Sequence, residues 1–288
     1  MNFTVAVDVR NTLGECPTWD HREQTLYWID VLEKALFRRG GDGAVRRWEL
    51  SDHPGSIAVR GSREVLIAFR RGISLFDTGT GKETPIDCPG VDFSKERFND
   101  GACDPLGRFW VGTMDRRLSE PVGGLFCLDD ALTLRKAADD VTISNGIAWS
   151  PDERTLYHTD SFTRQIHAHD FDMASGSVAA RRVFADFTKL GGTPDGCAMD
   201  EAGRLWAVDA HGARILVLAS NGALVDEIVA PAARPSSLAF GGADMRTLFV
   251  TTMRHDLSME ALERSPASGA VFSARSETAG TQQPRFAG

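Results

Sequence analysis

The sequence has no apolar run near the ~18 residues needed to cross a bilayer, which argues against a membrane protein. Cysteine is sparse and ill-placed for pairing. Cys16, Cys88, Cys103, Cys127 and Cys197 are odd in number, widely spaced and without a C-x-x-C pair, so neither a disulfide framework nor a thiolate zinc site is favoured. They read as reduced thiols. Positive charge is in deficit, with 32 Lys and Arg against 40 Asp and Glu, and the bases form no stripe. The electrostatic footprint of nucleic-acid binding is therefore missing, and a small-molecule partner is expected. The first residues, Met1–Arg10, show no charged segment followed by an apolar core and a small-residue cleavage site, so a cytoplasmic protein is expected. Nothing in the sequence sets an oligomeric state. Also absent are H-E-x-x-H, G-x-S-x-G and G-x-x-x-x-G-K, which removes the anchors of zinc-histidine, serine-hydrolase and phosphate-loop chemistry. His167 and His169 alternate along one strand and are expected on a solvent face.

What is present is a repeat at intervals of about 40 to 50 residues. Each unit opens on a polar or Gly-containing turn, runs through a short apolar strand, turns at a polar cluster and returns on an aromatic-rich strand. Glu15-Cys-Pro-Thr-Trp19 precedes Thr25-Leu-Tyr-Trp-Ile29, and Asn145-Gly-Ile-Ala-Trp149 precedes Thr155-Leu-Tyr-His-Thr159. Equivalent starts fall at Glu15, Gly55, Asn99, Asn145, Asp195 and Ser236. Six repeats of four short strands predict an all-β six-bladed propeller, and with no dividing linker, residues 1–288 form one domain. A strand over Phe3–Val9 should complete the last blade and hide its edge. The Gly/Ser/Thr/Gln-rich tail after Ser273 is expected to be loosely held.

In a propeller the innermost strands line a central channel, so equivalent starting residues form a ring around one axis. Glu15 is the informative member, because glutamate is a poor turn residue. Glu15, Asn145 and Asp195, with Asn99 as a further donor, make an oxygen-only set suited to a central divalent cation. The competing reading takes Asn145-Gly and Asp195-Gly as strand-entry turns. Loops after the second strands, beginning near Asp30, Met114–Arg117, Asp160–Ser161, Asp209–His211 and Met253–His255, overhang the ring and form a substrate shell. Arg97 can point into the same mouth as a rigid donor fork, or remain a solvated member of the Lys95-Glu-Arg97 cluster. Cys16 and Cys197 lie near ring positions and read as small packing residues.

The motifs Leu13-Gly-Glu15-Cys-Pro17, Arg97-Phe-Asn-Asp-Gly101, Gly112-Thr-Met114, Ser144-Asn-Gly146, Pro194-Asp-Gly196 and Phe240-Gly-Gly242 together resemble the senescence marker protein 30/gluconolactonase/regucalcin family over nearly the whole chain. The resemblance implies one divalent cation on the propeller axis and hydrolysis of a sugar lactone, an aldonolactone or related acidic sugar lactone, to the open-chain acid. It implies Glu15, Asn145 and Asp195 as metal ligands, and Arg97 and Asn99 as substrate contacts. The cation is calcium, zinc, manganese, magnesium or ferrous iron. Asp195 is the candidate catalytic base, with a water on the cation as the other route. The loop Asp115-Arg-Arg-Leu118 departs from the acidic loop of regucalcin-like members, either as a solvated arginine pair or to accept a lactone with an acidic substituent. Alternatives are a non-catalytic calcium-regulatory propeller, an interaction propeller, or a phosphotriesterase or aryl-lactonase on the same ring. Arg97 and Asn99, which can hydrogen-bond sugar hydroxyls, favour the sugar lactonase.

Overall fold

In a computed structural model describing residues 1–288, every repeat forms a four-stranded antiparallel sheet, and the six sheets are the blades of a β-propeller. The innermost strands are Gly14–Asp20, Pro54–Val59, Glu96–Cys103, Ser144–Trp149, Pro194–Met199 and Pro235–Gly241. Each touches the innermost strand of the next blade, and the last returns to the first. Ala131–Asp140, helix-like in composition, lies largely in the outer strand of blade 3, Leu134–Val141.

The second strands have blades on both sides and read as almost unbroken apolar runs. Thr25–Asp30 and Phe109–Asp115 are buried throughout. Their large side chains, Tyr27, Trp28, Phe109 and Trp110, are fully enclosed between blades. The largest apolar cluster, 19 buried residues, draws on blades 1, 5 and 6 and so spans the closure of the ring. Burying each such side chain contributes about 1.5–3 kcal/mol.

Blade 6 is built from both ends of the chain. Thr4–Val7 pairs antiparallel with Val271–Arg275, aligning Thr4 with Ser273, which puts the N-terminal strand at its expected place. The tail departs from expectation. Instead of being loose, it crosses the face opposite the strand starts and is bonded along its path: Thr281 N donates to Met199 O (2.9 Å), Phe286 N to Val59 O (2.8 Å) and Ala287 N to Gly107 O (2.9 Å). Phe286 is buried in the cluster shared by blades 2 and 3. Its polar composition concealed one apolar anchor and one arginine, Arg285, which forks onto the buried Asp20 carboxylate.

Candidate active site at the channel mouth

All six innermost strands break register at the ring: between Glu15 and Thr18, Pro54 and Ser56, Phe98 and Gly101, Asn145 and Ile147, Pro194 and Cys197, and Pro235 and Ser237. A β-bulge leaves a residue outside the ladder and re-aims its side chain. This is the local device that gives the ring residues a direction other than strict alternation allows. It also explains the glycines. A Cβ on Gly146 would stand 2.6 Å from Asp195 O, and one on Gly196 would stand 2.1 Å from Ser237 Oγ, while neither residue has a positive φ. Asn145-Gly and Asp195-Gly are therefore bulges pressed against the next blade, not turns.

Two ring positions contribute no donor to the axis. Gly55 has no side chain, and a Cβ there would meet Asn99 O at 2.6 Å. Ser236 is fully buried and donates its hydroxyl to Gly14 O, tying blade 6 to blade 1. Glu15 and Asp195 remain as neighbouring carboxylates. Both are pushed well above the usual carboxylate range, first by burial and then by repulsion: Glu15 by Asp195 and Asp100, and Asp195 by Asp100, partly offset by Arg234. Asp195 accepts no hydrogen bond within the chain, and Glu15 accepts only a long one, 3.4 Å, from its neighbour Cys16 N.

Asp100 is the residue that the sequence reading passed over. It sits beside Asn99 inside the same register break, where alternation no longer says which way either points. Burial raises its pKa to about 6, opposed by the hydrogen bond it accepts from Gly101 N (2.8 Å) in its own strand. No three carboxylate, imidazole or thiol groups gather closely enough to hold an ion.

Asn99 and Asn145 belong to a directed chain of hydrogen bonds. Arg97 Nη1 donates to Asn99 Oδ1 (3.0 Å), and Asn99 Nδ2 donates to Asn145 Oδ1 (2.9 Å) and Ser144 O (2.7 Å). Asn145 Nδ2 then donates to Ser161 Oγ (2.8 Å), whose hydroxyl donates to Pro194 O (2.6 Å), next to Asp195. The chain links blades 3, 4 and 5 and fixes which atom of each amide is oxygen. Ser161, in the loop expected to overhang the ring as part of the substrate shell, is the acceptor that orients Asn145.

The loop-initiating aspartates of that shell are also turned to structural use. Asp30 accepts from Thr12 N (2.7 Å) and Leu13 N (3.1 Å), Asp160 from Thr142 N (3.0 Å) and Ile143 N (3.1 Å), and Asp209 from Thr193 N (2.8 Å). Each binds the segment entering its own blade to the loop leaving it. Cys16 and Cys197 are packing residues as expected, with thiols pushed up chiefly by burial. All five cysteines are unpaired.

A cavity of about 270 Å³ lies at the other end of the axis, between Ile147, Trp149 and Met199 and the tail residues Thr281–Pro284. It lacks convergent charged groups. The ring end has them, in Glu15, Asp100, Asp195 and Arg97.

Residues 13–254 match the family model described as SMP-30/Gluconolactonase/LRE-like region. The chain is 38% identical over 294 residues to a Pseudomonas putida protein named 6-deoxy-6-sulfogluconolactonase, covering 100% of both chains. It is 36% identical to an Azospirillum brasilense L-arabinolactonase, over 99% of this chain and 95% of the relative. A solved structure of regucalcin from Agrobacterium tumefaciens, described as a calcium-binding protein, superposes with a TM-score of 0.92 at 28% identity, covering 98% of this chain and 96% of that one. The bulged ring, the propeller and these matches agree, and the chain is a member of the SMP-30/gluconolactonase/LRE-like family, which includes sugar lactonases.

Proposed function

We propose that the protein is a divalent-cation-dependent sugar lactonase, with Glu15, Asn145 and Asp195 as the cation ligands, Arg97 and Asn99 as substrate contacts, and Asp195 as the base. The observation that carries this reading is the half-buried, desolvated pair Glu15 and Asp195, whose charges repel each other and whose oxygens the chain leaves almost without donors. Buried carboxylates are ordinarily paired or bound to a cation. The residues fit such an ion: two carboxylates and an oriented amide oxygen are hard donors, suited to calcium, magnesium or manganese and compatible with zinc or ferrous iron.

When bound, the cation would polarise the lactone carbonyl and offset the charge of the oxyanion. The chain's own residues do the remaining work. Arg97, fixed by Asn99 and Phe98 O, presents its other guanidinium donors to the sugar oxygens. Asp195 takes a proton from the attacking water, whose oxygen bonds to the carbonyl carbon. The ring C–O bond then breaks, and the same proton passes to the departing ring oxygen, leaving the open-chain acid.

The names of the Pseudomonas and Azospirillum relatives support a sugar lactone as substrate, and the regucalcin neighbour supports a divalent cation. The test is proton release from glucono-, arabinono- and xylonolactone, using protein stripped by chelator and then reloaded with each of the five cations. Turnover that vanishes on stripping and returns on loading is expected. Saturable cation binding without turnover of any lactone would replace this reading with a calcium-regulatory one.

A further inference from the structure

The two ends of the mouth carry opposite charge. Glu15, Asp100 and Asp195 occupy the floor, whereas Arg70, Arg97 and Arg116 stand on the rim of blades 2 and 3. Arg70 follows the second strand of blade 2, with its amide held by His53 O (2.8 Å), and Arg116 follows that of blade 3, with its amide held by Lys95 O (2.9 Å). Arg97 lies between them on the innermost strand of blade 3.

None of the three forms an ion pair. Several arginines elsewhere do so, Arg108 with Asp104, Arg204 with Asp200, Arg214 with Asp209 and Arg285 with Asp20, whereas Arg164 and Arg234 do not. Arg70 Nε is buried with no hydrogen-bond partner at all. Arg97 uses only Nη1 within the chain, and Arg116 gives one Nη1 bond to Phe93 O (2.9 Å). The guanidiniums also feel one another: the pKa of Arg97 falls to about 10 through burial, then through repulsion by Arg70 and Arg116. Neutral hydroxyls would satisfy donors here but would not offset the charges of the half-buried Arg70 and Arg97, beside which the exposed Arg116 adds a third of the same sign.

We propose that Arg70, Arg97 and Arg116 form a receptor for a fixed anionic group, a sulfonate, carboxylate or phosphate, on the part of the lactone remote from its reacting carbonyl. This rests on the lactonase reading and narrows it to acidic sugar lactones. Guanidinium forks match the oxygens of such anions and keep their charge at any working pH. The acidic floor repels the same group. An anionic substituent held at the rim therefore turns the carbonyl end toward Asp195, and position and specificity come from one charge separation.

The experiment compares gluconolactone with its 6-sulfo and 6-phospho counterparts and with glucarolactone, in wild type, Arg70→Gln and Arg116→Gln. Wild type is expected to favour at least one anionic lactone by about tenfold or more in kcat/KM, and each variant to lose about tenfold or more of that ratio. A cation-induced thermal shift equal to wild type shows that each variant is folded with its floor intact. Equal kcat/KM for neutral and anionic lactones overturns the receptor while leaving the lactonase standing. If no lactone of either kind reacts, the lactonase reading falls, and calorimetry with the open-chain 6-sulfo and 6-phospho acids decides the receptor alone. Saturable binding weakened in both variants supports it, and no binding to wild type overturns it.

Discussion

Asp195 is a half-buried carboxylate with no hydrogen-bond donor from its own chain and only Arg234 to offset its charge, so the chain supports its ionised form poorly. Asp195→Asn removes the charge and the proton acceptor while nearly preserving shape. It should fold, lose nearly all lactone turnover and lose the rise in Tm that a divalent cation gives wild type; a full cation-induced shift in the variant would contradict its role as a ligand. Arg97→Ala and Asn99→Ala should separate differently. Without Arg97 a charged contact to the sugar is lost, and kcat/KM should drop by about ten- to hundredfold with the cation shift retained. Without Asn99, Asn145 Oδ1 loses the donor that orients it, so cation binding should weaken along with turnover. The equivalent places of Glu15, Asn145 and Asp195 at the bulged strand starts could be read from sequence because repeat alignment superposes them. Asp100 and Ser161 could not: a bulge suspends alternation at Asp100, and the role of Ser161 exists only between blades.

A strand's alternation says that two residues share a face but not what covers that face. His167 and His169, expected in solvent, are buried on the third strand of blade 4 together with His158 opposite His167. The outer strand Ser177–Asp186, ten residues long, supplies the cover and places Arg181 Nη2 2.9 Å from His167 Nε2. A guanidinium can only donate, so His167 Nε2 must be unprotonated. Burial holds all three imidazoles below the usual histidine range, His167 and His169 at about 4, with Arg181 reinforcing the effect. Below about pH 6.5 the unfolded chain takes up protons that the folded blade refuses, so stability should fall from there toward pH 4. Joint replacement of His167 and His169 by Gln should shrink the loss of Tm between pH 7.5 and pH 5. A double variant with an undiminished loss would assign the acid sensitivity elsewhere.

Across the whole molecule, the six blades were legible because each repeat must bury the same two faces, but the tail carries no period. Its evidence lay in a missing partner. In blades 3 and 5 a buried aspartate after the innermost strand takes an arginine four residues on and a tryptophan six residues on: Asp104 with Arg108 and Trp110, Asp200 with Arg204 and Trp206. Blade 1 has Asp20, equally buried, but Gln24 stands where the arginine would be. Arg285 fills that gap from the far end of the chain, with Nε 3.0 Å from Asp20 Oδ1 and Nη2 on Oδ2. The ring is thus fastened twice, by the N-terminal strand in blade 6 and by an ion pair from the tail to blade 1. Arg285→Ala would leave a carboxylate buried without its cation, a loss of about 3–5 kcal/mol and a fall in Tm on the order of 10 °C. Adding Asp20→Asn removes the stranded charge while keeping an acceptor for Arg22 N, so the double variant should regain part of that loss. If the two substitutions instead destabilise additively in thermal melts, Phe286 and the backbone bonds, not the ion pair, hold the tail in place.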